Sequence, residues 1–78
     1  MDDSTRNFYL AAAYWTLGAK YESMTSDENN TSRKTFHFSG DIDFTQVKKD
    51  FANETLQINA SRYADCIRNL KSILHGSE

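Results

Sequence analysis

Few side chains in this sequence could do covalent chemistry, and they are scattered. Cys66 is the only thiol, and His37 and His75 are the only imidazoles. Nucleophilic catalysis needs a nucleophile, a base within hydrogen-bond reach and a group that orients the base. Cys66 falls on the apolar stripe of a helical pattern, where a free cysteine packs as a small hydrophobe. His37 stands between Thr35 and Ser39 on the polar side of an alternating strand, and His75 suits the last turn of a helix, where the dipole favours a cation. Asp41 and Asp43 are spaced like paired carboxylates, but Asp43 is placed to cap a helix and Asp41 belongs to the turn after Gly40. A zinc site needs three or four convergent ligands; two distant histidines and one cysteine give no such pattern. Each of the three glycines lies next to an element boundary, so there is no glycine-rich phosphate loop. The expectation is a protein with no catalytic residues, no metal, no cofactor and no small-molecule substrate.

The remaining chemistry is recognition, and the stretch RKTFHFSGD, Arg33 to Asp41, poses the choice. Basic residues beside strand aromatics resemble sheets that stack nucleic-acid bases while Arg and Lys hold phosphates. Arg33, Lys34 and His37 would be the contacts, with Lys48, Lys49, Arg68 and Lys71 as further cations. Arg68, Lys71 and His75 share one stripe of the last helix. Against this, Phe36 and Phe38 lie on the same side of the strand. Each is worth roughly 1.5–3 kcal/mol when buried, a large part of a stability of about 5–10 kcal/mol. Both rings are expected in the core, with Thr35, His37 and Ser39 facing outward.

The elements follow from periodicity and capping signals. NFYLAAAYWTLG is apolar around most of a helix, with Ser4 or Thr5 as candidate caps and Gly18 as its terminator. AKYESMT and KTFHFSG read as two strands of a hairpin joined by the polar loop SDENNTS, Ser26 to Ser32. In IDFTQV, Asp43 is the N-cap, Gln46 completes a capping box, and Ile42 and Val47 form a hydrophobic staple. Phe44, Val47 and Phe51 then share one face. TLQIN, residues 55–59, is a short third strand or an extended connector. Asn59 caps a last helix whose Tyr63, Cys66, Ile67, Leu70, Ile73 and Leu74 keep the 3.6 period, ending at Gly76. The order α-β-β-α-β-α implies an α+β fold, a small antiparallel sheet of two to three strands with helices packed on one face.

With 78 residues the chain is one domain, spanning 1–78. A chain this short buries only about 60–65% of its unfolded surface, so its ten Phe, Tyr and Trp side chains are the main apolar resource. The net charge of −2 creates no overall field drawing the chain to polyanions. A lone cysteine excludes an internal disulfide. No apolar stretch approaches membrane-helix length, and MDDSTRN is unlike a signal peptide. The expectation is a cytoplasmic protein, with Asn-x-Ser/Thr triplets at Asn29, Asn30, Asn53 and Asn59 as by-products of polar loops.

FYLAAAYWTLGAKY, TFHF and NASRYADCIRNLKSIL together resemble a small uncharacterised domain family frequent in bacteriophages and bacterial mobile elements. The resemblance covers most of the chain and implies a phage or mobile-element origin, acting inside a host cell. It carries over no catalytic residues.

Two functions follow as expectations. The first is a non-enzymatic protein-interaction module that binds a second copy of itself as a homodimer, or a host protein complex, in the manner of small inhibitors of host defence. Tyr9, Tyr14, Trp15 and Tyr21 are its expected interface, since amphipathic aromatics are favoured at interfaces. The second is a nucleic-acid-binding accessory protein that uses the cations named above.

Overall fold

The alternation of aromatic and polar residues in KTFHFS organises the whole molecule. In the computed structural model, which describes residues 1–26, 29 and 33–76, this segment is the central strand of a three-stranded antiparallel sheet. The elements in chain order are β1 (Asp2–Thr5), α1 (Phe8–Thr16), β2 (Lys20–Ser26), β3 (Lys34–Ser39), α2 (Phe44–Ala52) and α3 (Ala60–Gly76). The sheet order is β1-β3-β2. The architecture is therefore α+β, with the two expected strands and all three expected helices in place.

Of the two readings of residues 55–59 the extended connector holds, and the third strand lies elsewhere. Residues 55–59 pair with no strand and form the connector between α2 and α3. The strand is instead DDST at the N-terminal end of α1, which has no aromatic or β-branched alternation to announce it. It pairs with the free side of β3 in the register Asp2 with Ser39, Asp3 with Phe38, Ser4 with His37 and Thr5 with Phe36. On the other side Tyr21 lies opposite Phe38 and Met24 opposite Phe36, with a shift between Tyr21 and Ser23 that makes Glu22 an extra residue. A bulge of this kind bends and twists an edge strand. The loop expected at Ser26–Ser32, with two of the Asn-x-Ser/Thr triplets, lies outside the described residues apart from Ser26 and Asn29.

Phe36 and Phe38 are 2% and 1% exposed, so the pleat does put both rings in the interior. The α1 helix covers them. Phe8 meets Phe36 edge-on at 6.2 Å, and Tyr14 meets Phe38 edge-on at 5.8 Å. Tyr14 also packs against Phe44 of α2 at 4.9 Å, which makes it the ring joining sheet, α1 and α2. Three consecutive alanines, Ala11 to Ala13, are fully buried; their small side chains let the neighbouring elements approach the α1 backbone. The longest helix, α3, packs mainly on α1 and fully buries only Leu70, while Tyr63, Cys66, Ile67, Ile73 and Leu74 are partly covered.

Capping explains the helix limits. Asn7, rather than Ser4 or Thr5, caps α1: its side-chain oxygen accepts from the backbone N–H groups of Tyr9 and Leu10. Ser4 is taken by the β-ladder, and Thr5 accepts from the Asn7 N–H through its hydroxyl. At the other end Gly18 has φ +107°, a region open to glycine. This turn lets Ala19 N–H reach the Tyr14 carbonyl and Gly18 N–H reach that of Trp15, satisfying two helix-end acceptors. Asp43 caps α2 by accepting from Gln46 N–H at 3.0 Å, but the Gln46 amide turns to Asp50 instead of closing the box. Asn59 caps α3 through Arg62 N–H, also at 3.0 Å. The α2 terminus repeats the α1 ending with a non-glycine residue in the left-handed position, Glu54 at φ +61°.

Candidate functional site

The four aromatics expected at an interface separate into three environments. Tyr14 is fully buried, so it is a core residue and not a contact for a partner. It lies on the stripe with Leu10 that faces the sheet, and its hydroxyl finds a partner inside: it donates to Asp3 Oδ2 at 2.8 Å. Asp3 also pairs with Lys48 Nζ at 3.0 Å. Burial works against the Asp3 carboxylate, but the hydrogen bonds from Lys48, Tyr14 and the Ser4 backbone, with the Lys48 charge, outweigh it and hold its pKa below the ordinary value. Burial, then the bond and charge of Asp3, push the Tyr14 phenol well above its usual range. The strand β1 is thereby tied to α1 and α2.

Trp15 and Tyr21 stack on each other at 5.4 Å and 21°, and both touch Phe38. They are half-buried and close the core beside β2, and burial raises the Tyr21 phenol. Tyr9 differs from the other three. It is 57% exposed, beside Phe8 with ring centroids 5.4 Å apart, and its carbonyl accepts from the Tyr63 hydroxyl at 3.2 Å.

The expected cations do not converge either. The register puts Lys34 on the Phe36 side of β3 and His37 on the opposite side. His37 shares a 2.9 Å hydrogen bond with the Thr25 hydroxyl, and Lys34 donates to Ser26 Oγ at 2.7 Å. Lys48 is committed to Asp3, and Arg68 to Asp65. Arg33, Lys49 and Lys71 are exposed on three different elements or their flanks. Around His37 the outer sheet face forms a broad depression of about 720 Å³ with Asp2, Ser4, Glu22 and Ser39, and Ser39 donates to Glu22. Its lining is mainly polar, and Phe38, the one aromatic residue beside it, is 1% exposed and offers no face for stacking. Cys66 is half-buried against the core. Among the described residues no three His, Cys, Asp or Glu side chains converge to hold a metal, and no helix is long and apolar enough to cross a membrane.

What the structure does bring together is an apolar surface that the sequence did not mark as one site. Phe8 connects exposed Tyr9 to Phe36, and Phe36 and Phe8 line a groove of about 180 Å³ together with Leu74 of α3. Arg6 and Lys34 also line it. Arg6 is there because β1 runs antiparallel to β3: the Thr5–Phe36 pair leaves the next residue beside the start of β3. Without β1 in the sequence reading, nothing marked Arg6.

The fold and surface define a small α+β domain built around one aromatic sheet face, with one apolar surface left partly open. Residues 4–76 match the family described as a domain of unknown function, DUF5659, and the chain belongs to that family. No curated protein and no solved structure matches the chain.

Proposed function

We propose that this chain is a non-enzymatic protein-interaction module of phage or mobile-element type, acting in the host cell interior on a host protein complex. Its helices all lie on the Phe36–Phe38 face of the sheet, and the binding surface is the edge of that helical layer, centred on Tyr9. The observation that carries the reading is the exposure of Tyr9 in continuity with Phe8 and the groove. A tyrosine held in place by its neighbours is a rigid amphipathic contact that loses little conformational freedom on binding. The outer sheet face supports a nucleic-acid role poorly, because its residues are polar and two of the seven proposed cations are neutralised by carboxylates.

The test is a pull-down from host extract with and without nuclease, using the wild-type chain and Tyr9→Ser. Protein bands that survive nuclease and disappear with Tyr9→Ser support the proposal. Capture that vanishes on nuclease treatment, or is indifferent to Tyr9, overturns it. Light scattering of the purified chain reads self-association independently.

A further inference from the structure

We propose that the groove between the last turn of α3 and the start of β3 docks a segment of a partner protein that presents one apolar side chain flanked by carboxylates. This rests on the protein-interaction reading and names the chemistry of the partner. The groove volume of about 180 Å³ is close to that of a cavity of roughly 150 Å³ that takes up benzene, so it suits a single apolar side chain. It is lined by the apolar Phe8, Phe36 and Leu74 together with the cations Arg6 and Lys34. Arg33, exposed and next in sequence to Lys34, adds a third positive charge at this end.

Charge complementarity selects the occupant. The chain is net negative, with 11 acidic against 9 basic residues. Yet the two ion pairs among the described residues, Lys48–Asp3 and Arg68–Asp65, leave Arg6 and Lys34 without a carboxylate. Among the described residues, Lys34 bonds only to a serine hydroxyl. A carboxylate on each side of the inserted side chain would meet both cations at once, at a partly apolar site where such pairs are screened less than in open water. A nucleic-acid phosphate would satisfy the cations but leave the apolar lining uncovered. Phe36 offers no face to a base, since it is 2% exposed and meets Phe8 edge-on.

A second copy of the chain is a poor occupant. Its own Asp41-Ile42-Asp43 has the right pattern, but Ile42 is packed against the core and Asp43 is holding the α2 N-terminus.

The experiment is a titration of the ¹⁵N-labelled full chain, followed by two-dimensional NMR, with capped peptides carrying Asp-Leu-Asp, Asp-Ser-Asp, Ser-Leu-Ser or Lys-Leu-Lys between glycines. Asp-Leu-Asp is expected to shift the amides of Arg6, Phe8, Lys34, Phe36 and Leu74. Replacing its leucine by serine should weaken binding about ten- to a hundredfold, the worth of one buried aliphatic side chain. Replacing its carboxylates, or introducing Arg6→Glu, should weaken it about three- to tenfold, and high salt should do the same. Absence of shifts at millimolar peptide, equal response to Lys-Leu-Lys, or displacement by a short oligonucleotide overturns the proposal. So does concentration-dependent self-association abolished by Arg6→Glu. If Tyr9→Ser stops pull-down while Arg6→Glu does not, the interaction module stands and the groove assignment falls. If neither variant matters, both fall.

Discussion

Removing one oxygen from Tyr14 isolates the bond that ties β1 to the helical layer. In Tyr14→Phe the ring keeps its edge-on contacts with Phe38 and Phe44, at 5.8 and 4.9 Å, so packing is preserved. What is lost is a 2.8 Å bond from a fully buried hydroxyl to a charged acceptor. Bonds to charged groups contribute about 1.5–3 kcal/mol. The Asp3 side chain is 23% exposed and keeps Lys48 at 3.0 Å, so the lower part of that range applies, about 1.5–2 kcal/mol. At roughly 4–8 °C per kcal/mol for a domain of this size, Tm falls by about 6–16 °C. The pH dependence carries the sign. Because the folded-state pKa of Asp3 lies below its unfolded value, near 3.8, the stabilisation is complete above that value and is lost as pH falls through the folded one. The gap between wild type and Tyr14→Phe should therefore be full at pH 7 and should narrow in the acid limb. Urea unfolding followed by circular dichroism at pH 7 and at a series of values below 4 reads both effects. A loss under 0.3 kcal/mol, or a gap that stays constant into strong acid, would refute the bond's role.

Other substitutions test separate features. Glu54→Gly relieves a left-handed residue at φ +61°, a strain of about 1–2 kcal/mol, against a glycine entropy cost of about 0.5–1. The net is a small gain in urea midpoint, and a lower midpoint counts against it. Leu70→Ala removes the one fully buried side chain of α3 and should cost about 2–5 kcal/mol, visible as loss of helical signal at lower denaturant. Asn59→Ala takes away the acceptor for Arg62 N–H and should cost about 1 kcal/mol. In an alkaline absorbance titration the Tyr14 phenol should ionise well above the ordinary tyrosine range, and ionisation within that range would count against its buried bond to Asp3.

Much of the framework was legible because it is written in local patterns. Asp43 and Asn59 each precede an amphipathic run and make the expected cap bonds, and the pleat puts Phe36 and Phe38 on the one face that α1 covers. What was hidden depends on distant partners. DDST has weak strand character and becomes β1 because β3 offers a free edge and because Asp3 meets Tyr14 and Lys48, far away in sequence. The same long-range register carries Arg6 to Lys34, so the groove could not be foreseen while β1 was unseen. Tyr14 was misjudged for a related reason: its hydroxyl suggested a surface residue, but Asp3 supplies the buried partner. Tyr9 was named as an interface residue for its amphipathic ring, and the exposure holds for it alone because, among the described residues, no buried acceptor like Asp3 draws its hydroxyl inward.

The most direct measurement is oxidative footprinting of the chain in nuclease-treated host extract, compared with buffer, with modification at Tyr9 read by mass spectrometry. Tyr9 is 57% exposed in the free chain and should be strongly modified in buffer. A protein partner seated on this surface predicts that Tyr9 becomes protected in extract while exposed Met1, at 86%, remains reactive. Equal modification of Tyr9 in extract and buffer would contradict recognition through this surface.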